Sequence, residues 1–209
     1  MPPKGPFAVL LAAGHGKRFG FPKSAMEIHG NWILPRLVEA LRGGGALKVA
    51  LVLSAESEAA ISGKGDTGAD IVVLNPTPET GRTGSLQAGL RALMADSSEV
   101  PFSALVHPCD VPLLSQEVVA SLIRSHNSLE SPEKGLARPV TAGGRGGHPL
   151  LLGVSRVKDV LGYRPDQSLR TLLADHPDSV LDLHVPGPGP FLNVNHPEQL
   201  ALLESLLES

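Results

Sequence analysis

Three glycines and three cations crowd the exit of the first apolar run, in Leu11-Ala12-Ala13-Gly14-His15-Gly16-Lys17-Arg18-Phe19-Gly20-Phe21-Pro22-Lys23. Glycines let backbone N–H groups approach an anion closely, and Arg18 and Lys23 can add charge-assisted hydrogen bonds. The loop therefore has the chemistry to hold a polyphosphate. A Walker loop requires Gly-x-x-x-x-Gly-Lys-Ser/Thr, which no window of this chain supplies. Gly14-x-Gly16-x-x-x-Gly20 is only a loose variant of the dinucleotide fingerprint, and Pro22 followed by Gly30 leaves no clean helix directly behind it. The plain alternative is a glycine-rich strand exit with surface cations.

Further segments carry chemistry. Asp110 leaves an apolar run in His107-Pro108-Cys109-Asp110-Val111-Pro112. A solvent-facing carboxylate at such a strand end can hold Mg²⁺ against nucleotide phosphates, while a turn aspartate beside proline is the simpler reading. Asn75-Pro76 and then Gly81-Arg82-Thr83-Gly84-Ser85 place small residues and hydroxyls at a helix start. Ser85 and backbone N–H groups there can bond a ribose, base or phosphate, or Ser85 or Thr83 can simply cap the helix. Gly143-Gly144-Arg145-Gly146-Gly147-His148-Pro149 is either a loop that approaches or covers a ligand, or a flexible surface connection. His107, His126 and His196 read as surface or turn residues, and Cys109 as buried filler.

The elements that would position these residues alternate. Apolar runs at 7–12, 47–53, 71–74, 104–106, 136–140, 149–152 and 180–185 predict strands. Helical spacing covers 35–41, 85–94, 115–125, 167–174 and 198–207, with Ser115 as an N-cap. This alternation predicts a three-layer α/β sandwich with a mostly parallel sheet, in which ligands gather at the carboxyl ends of the strands. A chain of 209 residues, 42% of them hydrophobic, suits one α/β domain and is short for two. A net charge of −3 gives no broad basic surface for nucleic acid. Cys109 is the only cysteine, which excludes a disulfide framework and a multi-cysteine zinc site, and the histidines lack ligand spacing. With no apolar run of membrane-spanning length and no secretory stretch, a soluble cytoplasmic protein without membrane contact is expected.

Leu-Ala-Ala-Gly-x-Gly-x-Arg followed by Pro-Lys resembles the opening signature of nucleotidyltransferases built on a Rossmann-like α/β fold. With Asn75-Pro76, Gly81-x-x-x-Ser85, Asp110-x-Pro112, Gly147-His148-Pro149, Asp166-Gln167-Ser168-Leu169-Arg170 and Asn193-Val194-Asn195-His196-Pro197-Glu198, nearly the whole chain is similar to the molybdenum cofactor nucleotidyltransferases, especially the molybdopterin cytidylyltransferase branch. The resemblance implies one nucleotidyltransferase domain over 1–209, with a nucleotide half at about 6–112 and an acceptor half at about 113–209. It implies transfer of a nucleoside monophosphate, CMP by preference, from an NTP to a phosphorylated acceptor such as molybdopterin, with pyrophosphate leaving. Pro108-Cys109-Asp110-x-Pro112 is closer to the guanylyltransferase branch, so GTP stays open beside CTP.

By the same resemblance, Leu11, Ala12, Ala13, Gly14 and Gly16 wrap the nucleotide, together with Lys23, Asn75, Gly81, Ser85 and Asp110. Arg18 would meet the β- and γ-phosphates, Lys23 the charge building at the α-phosphorus, and Asp110 with Asn193 the Mg²⁺ cofactor. His148 and Arg170 would face the acceptor, and a molybdoenzyme or its chaperone would be a protein partner. Two positions depart from the family pattern: Asn193 stands where an aspartate metal ligand is usual, and Ser168 where glycine is. An amide oxygen coordinates Mg²⁺ without adding negative charge, so metal affinity should fall. Within enzymes the alternative is a sugar- or polyol-phosphate nucleotidyltransferase. Outside that class stand a non-catalytic nucleotide or cofactor carrier and an NAD(P)-binding reductase.

Overall fold

The computed structural model describes residues 5–14, 16, 19–97, 102–164 and 167–207. Its strands, in chain order, are β1 Phe7–Leu11, β2 Glu27–Ile28, β3 Asn31–Trp32, β4 Val49–Leu53, β5 Ile71–Leu74, β6 Ala104–Pro108, β7 Leu136–Val140, β8 Leu150–Leu152 and β9 Val180–His184. The helices are α1 Ile33–Gly43, α2 Ala55–Ile61, α3 Gly81–Asp96, α4 Gln116–Asn127, α5 Val154–Leu161, α6 Leu169–Asp175 and α7 Pro197–Leu207.

Seven strands form one sheet in the order β5-β4-β1-β6-β8-β7-β9, and β2 pairs with β3 in a separate hairpin. β5, β4, β1 and β6 are mutually parallel; β8 runs antiparallel to both β6 and β7, and β7 is parallel to β9. β1 sits between β4 and β6 with Val9 opposite Ala50 and Val106, and all three strands are buried along their whole length. Strands covered on both faces must be apolar throughout, which is why FAVLL, VALVL and ALVHP lack the alternation of a half-exposed strand.

Each face of the sheet has its own core. Ala8, Leu10, Val49 and Leu51 pack with Leu34, Leu37 and Leu41 of α1, Val119 and Leu122 of α4, and Leu203 of α7. Phe7, Val9, Leu11 and Val52 pack with Leu86, Leu90 and Leu93 of α3, Val157 and Val160 of α5, and Leu172 of α6. Helix α3 lies unusually close to the sheet: a Cβ at Gly89 would fall 2.6 Å from Val9 Cγ1 and 2.9 Å from Val52 Cγ2. That close approach seats α3 on β1 and β4, with its first turn at the cavity beyond the carboxyl end of β1. Ser54 caps α2 by accepting from Ser57 N, and Ser115 caps α4 by accepting from Val118 N, as the sequence predicts for Ser115.

The expected three-layer, mostly parallel α/β architecture is present. The departures are local. α3 begins at Gly81 rather than Ser85, so neither Thr83 nor Ser85 is its cap. α2, α5 and the β2–β3 hairpin have no counterpart among the named sequence elements. Among the described residues no helix is long and apolar enough to cross a membrane.

Candidate active site

The carboxyl ends of β1 and β6 open onto a cavity of about 370 Å³. Leu11, Ala13, Gly14 and Gly16 form one wall, Gly81, Arg82 and Ser85 of α3 another, and Lys23, Asp110 and Asn195 its polar end. Gly16 has a left-handed φ of 61°, and a Cβ there would lie 2.0 Å from Phe21 O. Its carbonyl accepts from Phe19 N at 2.7 Å and Gly20 N at 3.0 Å, so the loop closes on itself at a position only glycine fits. A Cβ at Gly14 would meet no atom of the described residues within 4 Å, which leaves that part of the wall open for a ligand's close approach. Of the sequence-named wall residues, Ala12 turns into the core, and its N–H donates to Val52 O. Arg18, with His15 and Lys17, lies outside the described residues.

Lys23 opens a single 3-10 turn, Lys23–Ala25, that is anchored from below. Ser24 Oγ donates to Ser57 O at 3.0 Å, and Trp32 Nε1 donates to Ser24 O at 2.6 Å. The β2–β3 hairpin therefore clamps this turn, with Met26 and Ile28 buried beneath it. The Lys23 ammonium is held at 2.7 Å from Asn195 Oδ1 and 3.4 Å from Asp110 Oδ2.

Asp110 sits in the turn that ends β6. Cys109 N donates to Leu11 O at 2.9 Å, extending the β1 pairing, and Val194 N donates to Asp110 O at 2.8 Å, bringing the 193–195 segment over the site. The expected solvent-facing carboxylate is in fact buried, 7% exposed, because this segment and two cations cover it. Arg82 Nη2 donates to Asp110 Oδ2 at 3.1 Å, so that oxygen serves both Lys23 and Arg82. Oδ1 is buried and has no hydrogen-bond partner among the described residues.

Behind the wall, Asn75 Nδ2 donates to Ser85 Oγ at 3.0 Å and Asn75 Oδ1 accepts from Thr77 N at 3.0 Å. Ser85 faces the cavity, while Asn75 holds it from behind. Thr83 Oγ1 is turned away, donating to Gln167 O. Among the described residues no side chain caps the start of α3, so the positive end of its dipole is presented at the cavity through Gly81 and Arg82.

A second, larger cavity of about 640 Å³ adjoins the first and shares Leu11, Arg82 and Pro108 with it. Arg138, Arg145, His148, Arg170 and Asn193 supply its polar lining, over an apolar floor that includes Val106, Leu150 and Leu173. The Gly143–Pro149 segment is thus the rim of a cavity, with Arg145 Nη2 donating to Phe191 O at 3.0 Å. Both sequence-named acceptor residues, His148 and Arg170, are here. Asn193 lines this second cavity, whereas the amide beside Lys23 and Asp110 is that of Asn195.

His107 is no surface residue. It lies wholly buried on β6, its Nε2 2.9 Å from Val111 O and its Nδ1 without a partner among the described residues. Burial, reinforced by His148, lowers its pKa to about 3. Burial first and the Arg82 charge second lower that of His148 to about 4. His126 is likewise buried, at the end of α4. Burial, then the neighbouring Asp110, pushes the Cys109 thiol up to about 12, which makes it a poor nucleophile and fits its reading as filler.

The residues missed in the sequence are Arg82, Asn195, Arg138 and Arg145. Arg82 and Arg145 lie inside motifs conspicuous for their glycines, and that company was the available signal. Asn195 stands two residues from the family's usual ligand position, and nothing local to Arg138 marks it.

The model for the MobA-like NTP transferase domain matches residues 8–180. The chain belongs to this family. It is 29% identical over 97% of its length to a molybdenum cofactor guanylyltransferase of Rhizobium meliloti, covering 92% of that protein. A 129-residue stretch, 59% of the chain, is 35% identical to the bifunctional protein GlmU of Paenarthrobacter aurescens, of whose length the chain spans about a quarter (25%). In three dimensions it matches Rv0371c of Mycobacterium tuberculosis with a TM-score of 0.76, at 21% identity over 99% of both chains. A manganese complex of Rv0371c matches with a TM-score of 0.71, at 20% identity over 97% of this chain and 99% of that one. At such identities the structural likeness speaks for the fold, and the family match makes the domain a nucleotidyltransferase.

Proposed function

We propose that the first cavity binds a nucleoside triphosphate with Mg²⁺, that the second binds a phosphorylated small molecule, and that a nucleoside monophosphate passes from one to the other as pyrophosphate leaves. The observation that carries this reading is Asp110. Its Oδ1 is buried and unpartnered among the described residues, its Oδ2 is shared by Lys23 and Arg82, and it lines the first cavity beside Arg82, which borders both. A carboxylate with one free oxygen fits a divalent cation, which takes few protein oxygens when phosphates supply the rest. Asp110 Oδ1 would hold the ion, and by the family resemblance the Asn193 amide, which lines the adjoining cavity, would be the second protein oxygen. Bound there, Mg²⁺ would offset the charge of the triphosphate.

The chain's own residues do the rest by placement. Gly14 and Gly16 admit phosphates to the backbone, α3 offers its positive end, and Arg18, by the family resemblance, meets the outer phosphates. Lys23 serves the α-phosphate, where charge accumulates. An acceptor phosphate is already anionic near neutral pH, so no protein nucleophile is needed. That agrees with a thiol at Cys109 held in its protonated form. Among the cavity residues, Arg145 and Arg170 suit an anionic acceptor, Arg138 being paired with Asp182, and the apolar floor suits a flat ring system. Molybdopterin has both features and is the acceptor proposed.

GTP is the donor favoured by the guanylyltransferase relative and by Pro108-Cys109-Asp110-x-Pro112. Leu11-Ala12-Ala13-Gly14 keeps CTP as the second reading. A melting-temperature panel of GTP, CTP, UTP, ATP and NADPH, each with and without Mg²⁺, identifies the donor by selective stabilisation. Pyrophosphate release with molybdopterin then tests the transfer; donor binding without release under any acceptor would favour a carrier. Asn193→Asp should lower the Mg²⁺ concentration required for half-maximal stabilisation by donor, and an unchanged titration would remove Asn193 as a ligand.

A further inference from the structure

Among the described residues three line both cavities, Leu11, Arg82 and Pro108, and of them only Arg82 has a side chain that can hydrogen-bond an anion. The other described cations of the two cavities are divided: Lys23 lines the first alone, and Arg138, Arg145 and Arg170 line the second alone. Arg82 reaches the boundary from the first turn of α3, which packing at Gly89 presses against the sheet. Its side chain is 66% exposed, and its Nη2 is 3.1 Å from Asp110 Oδ2, an oxygen that Lys23 also serves. Its charge is also felt in the second cavity, where it helps keep His148 neutral.

We propose that Arg82 is a catalytic residue that bridges the donor α-phosphate in the first cavity and the acceptor phosphate in the second. This rests on the transferase reading. In the transfer, an acceptor phosphate oxygen forms a bond to the donor α-phosphorus. The bond from that phosphorus to the oxygen bridging to the β-phosphate breaks, and pyrophosphate leaves with the electron pair. Two anions must come into contact for this, and their repulsion is greatest at the cavity boundary. His148, uncharged, supplies no compensation there. A planar guanidinium can give one N–H to each of two oxygens at a fixed spacing, whereas an ammonium is a point charge on a flexible stem. Lys23 remains to serve Asp110 when Arg82 turns to the phosphates.

The test uses Arg82→Ala and Arg82→Lys in two arms. In the turnover arm, Arg82→Ala should lower kcat about 100-fold or more, the scale of losing one preorganised donor at a developing charge. Its dissociation constant for the donor with Mg²⁺ should stay within about threefold, and Arg82→Lys should recover no more than about a tenth of the lost rate. A kcat left unchanged, or a donor affinity that weakens in step with kcat/KM, would overturn the assignment. In the binding arm, inorganic phosphate is titrated against protein saturated with the α,β-methylene analogue of whichever nucleotide stabilises it. Wild-type protein should bind phosphate beside the analogue, and Arg82→Ala should bind it at least about tenfold more weakly. Equal phosphate affinity in the two proteins would defeat the bridge. This second arm needs no turnover, so it decides Arg82 even where the first arm finds wild-type protein inactive and the transferase reading fails.

Discussion

Asp110 carries two cations on one carboxylate oxygen and, among the described residues, no partner on the other. The sequence marks it through the Asp-x-Pro motif at a strand end, and it marks Lys23 through Pro-Lys after a glycine loop. Their meeting depends on a third segment, 193–195, which the family resemblance brings to Asp110 through Asn193 while the structure puts the Asn195 amide beside Lys23; Arg82 lay hidden in a motif read for its glycines. Asp110→Asn keeps the shape of the side chain and removes its charge. Turnover should fall by at least about 1,000-fold, since the acid proposed to hold the metal in the first cavity is lost. Stability without ligand should fall on the order of 1 kcal/mol, because Lys23 and Arg82 then face each other uncompensated, while the exposure of Arg82 screens most of that repulsion. Steady-state rates and urea midpoints measure the two effects; a variant that turns over normally would strip Asp110 of its role.

At the level of elements, the apolar runs of the main sheet were legible, down to the three residues of β8, and the small hairpin and the polar start of α3 were not. β1, β4, β5 and β7 appear close to where apolar runs and turn residues placed them. The β2–β3 hairpin, two residues on each strand, is too short to show a period, although His29-Gly30 between them carries the positive φ values of 49° and 71° that such a turn requires. The first turn of α3, Gly81-Arg82-Thr83-Gly84, could not be read as helix because it holds two glycines and no apolar residue to begin the stripe that shows from Ser85 onward. That composition follows from where the helix lies, since one pressed close to the sheet, with its N-terminus at a ligand cavity, has room for little else. The glycine loop gives the corresponding prediction. Gly16→Ala would place a methyl group 2.0 Å from Phe21 O at a left-handed φ of 61°, so the loop must shift. Donor affinity, measured by calorimetry, should fall at least about tenfold, whereas the melting temperature without ligand should drop by only a few degrees because no core residue moves. Unaltered donor affinity would show that the loop's shape does not matter to binding.

Taken as a whole, the molecule puts its charge chemistry at the carboxyl ends of the central strands, and two histidines lie just beneath it. His107 and His148 have ring centroids 6.3 Å apart at nearly a right angle, each with a buried Nδ1 that has no partner among the described residues. Both are neutral in the folded protein well below their ordinary range, with values of about 3 and about 4 set mainly by burial. In the unfolded chain the same side chains take up protons near pH 6.5. Between pH 6.5 and about 4 the unfolded state therefore binds more protons than the native state, and stability must fall as the pH falls. Above pH 6.5 the two histidines are neutral in both states and contribute no slope. Each fully shifted group changes stability by about 1.4 kcal/mol per pH unit within its window, so the pair should dominate the acid side of the profile. Urea midpoints at pH 7.5, 6.5, 5.5 and 4.5 would trace the curve, flat at first and then steepening. His148→Gln removes one titrating group at the cavity rim and should make the decline between pH 6.5 and 4.5 shallower. An equally steep decline in that variant would mean that other groups set the acid limit and that the rim histidine is protonated without cost in the folded protein.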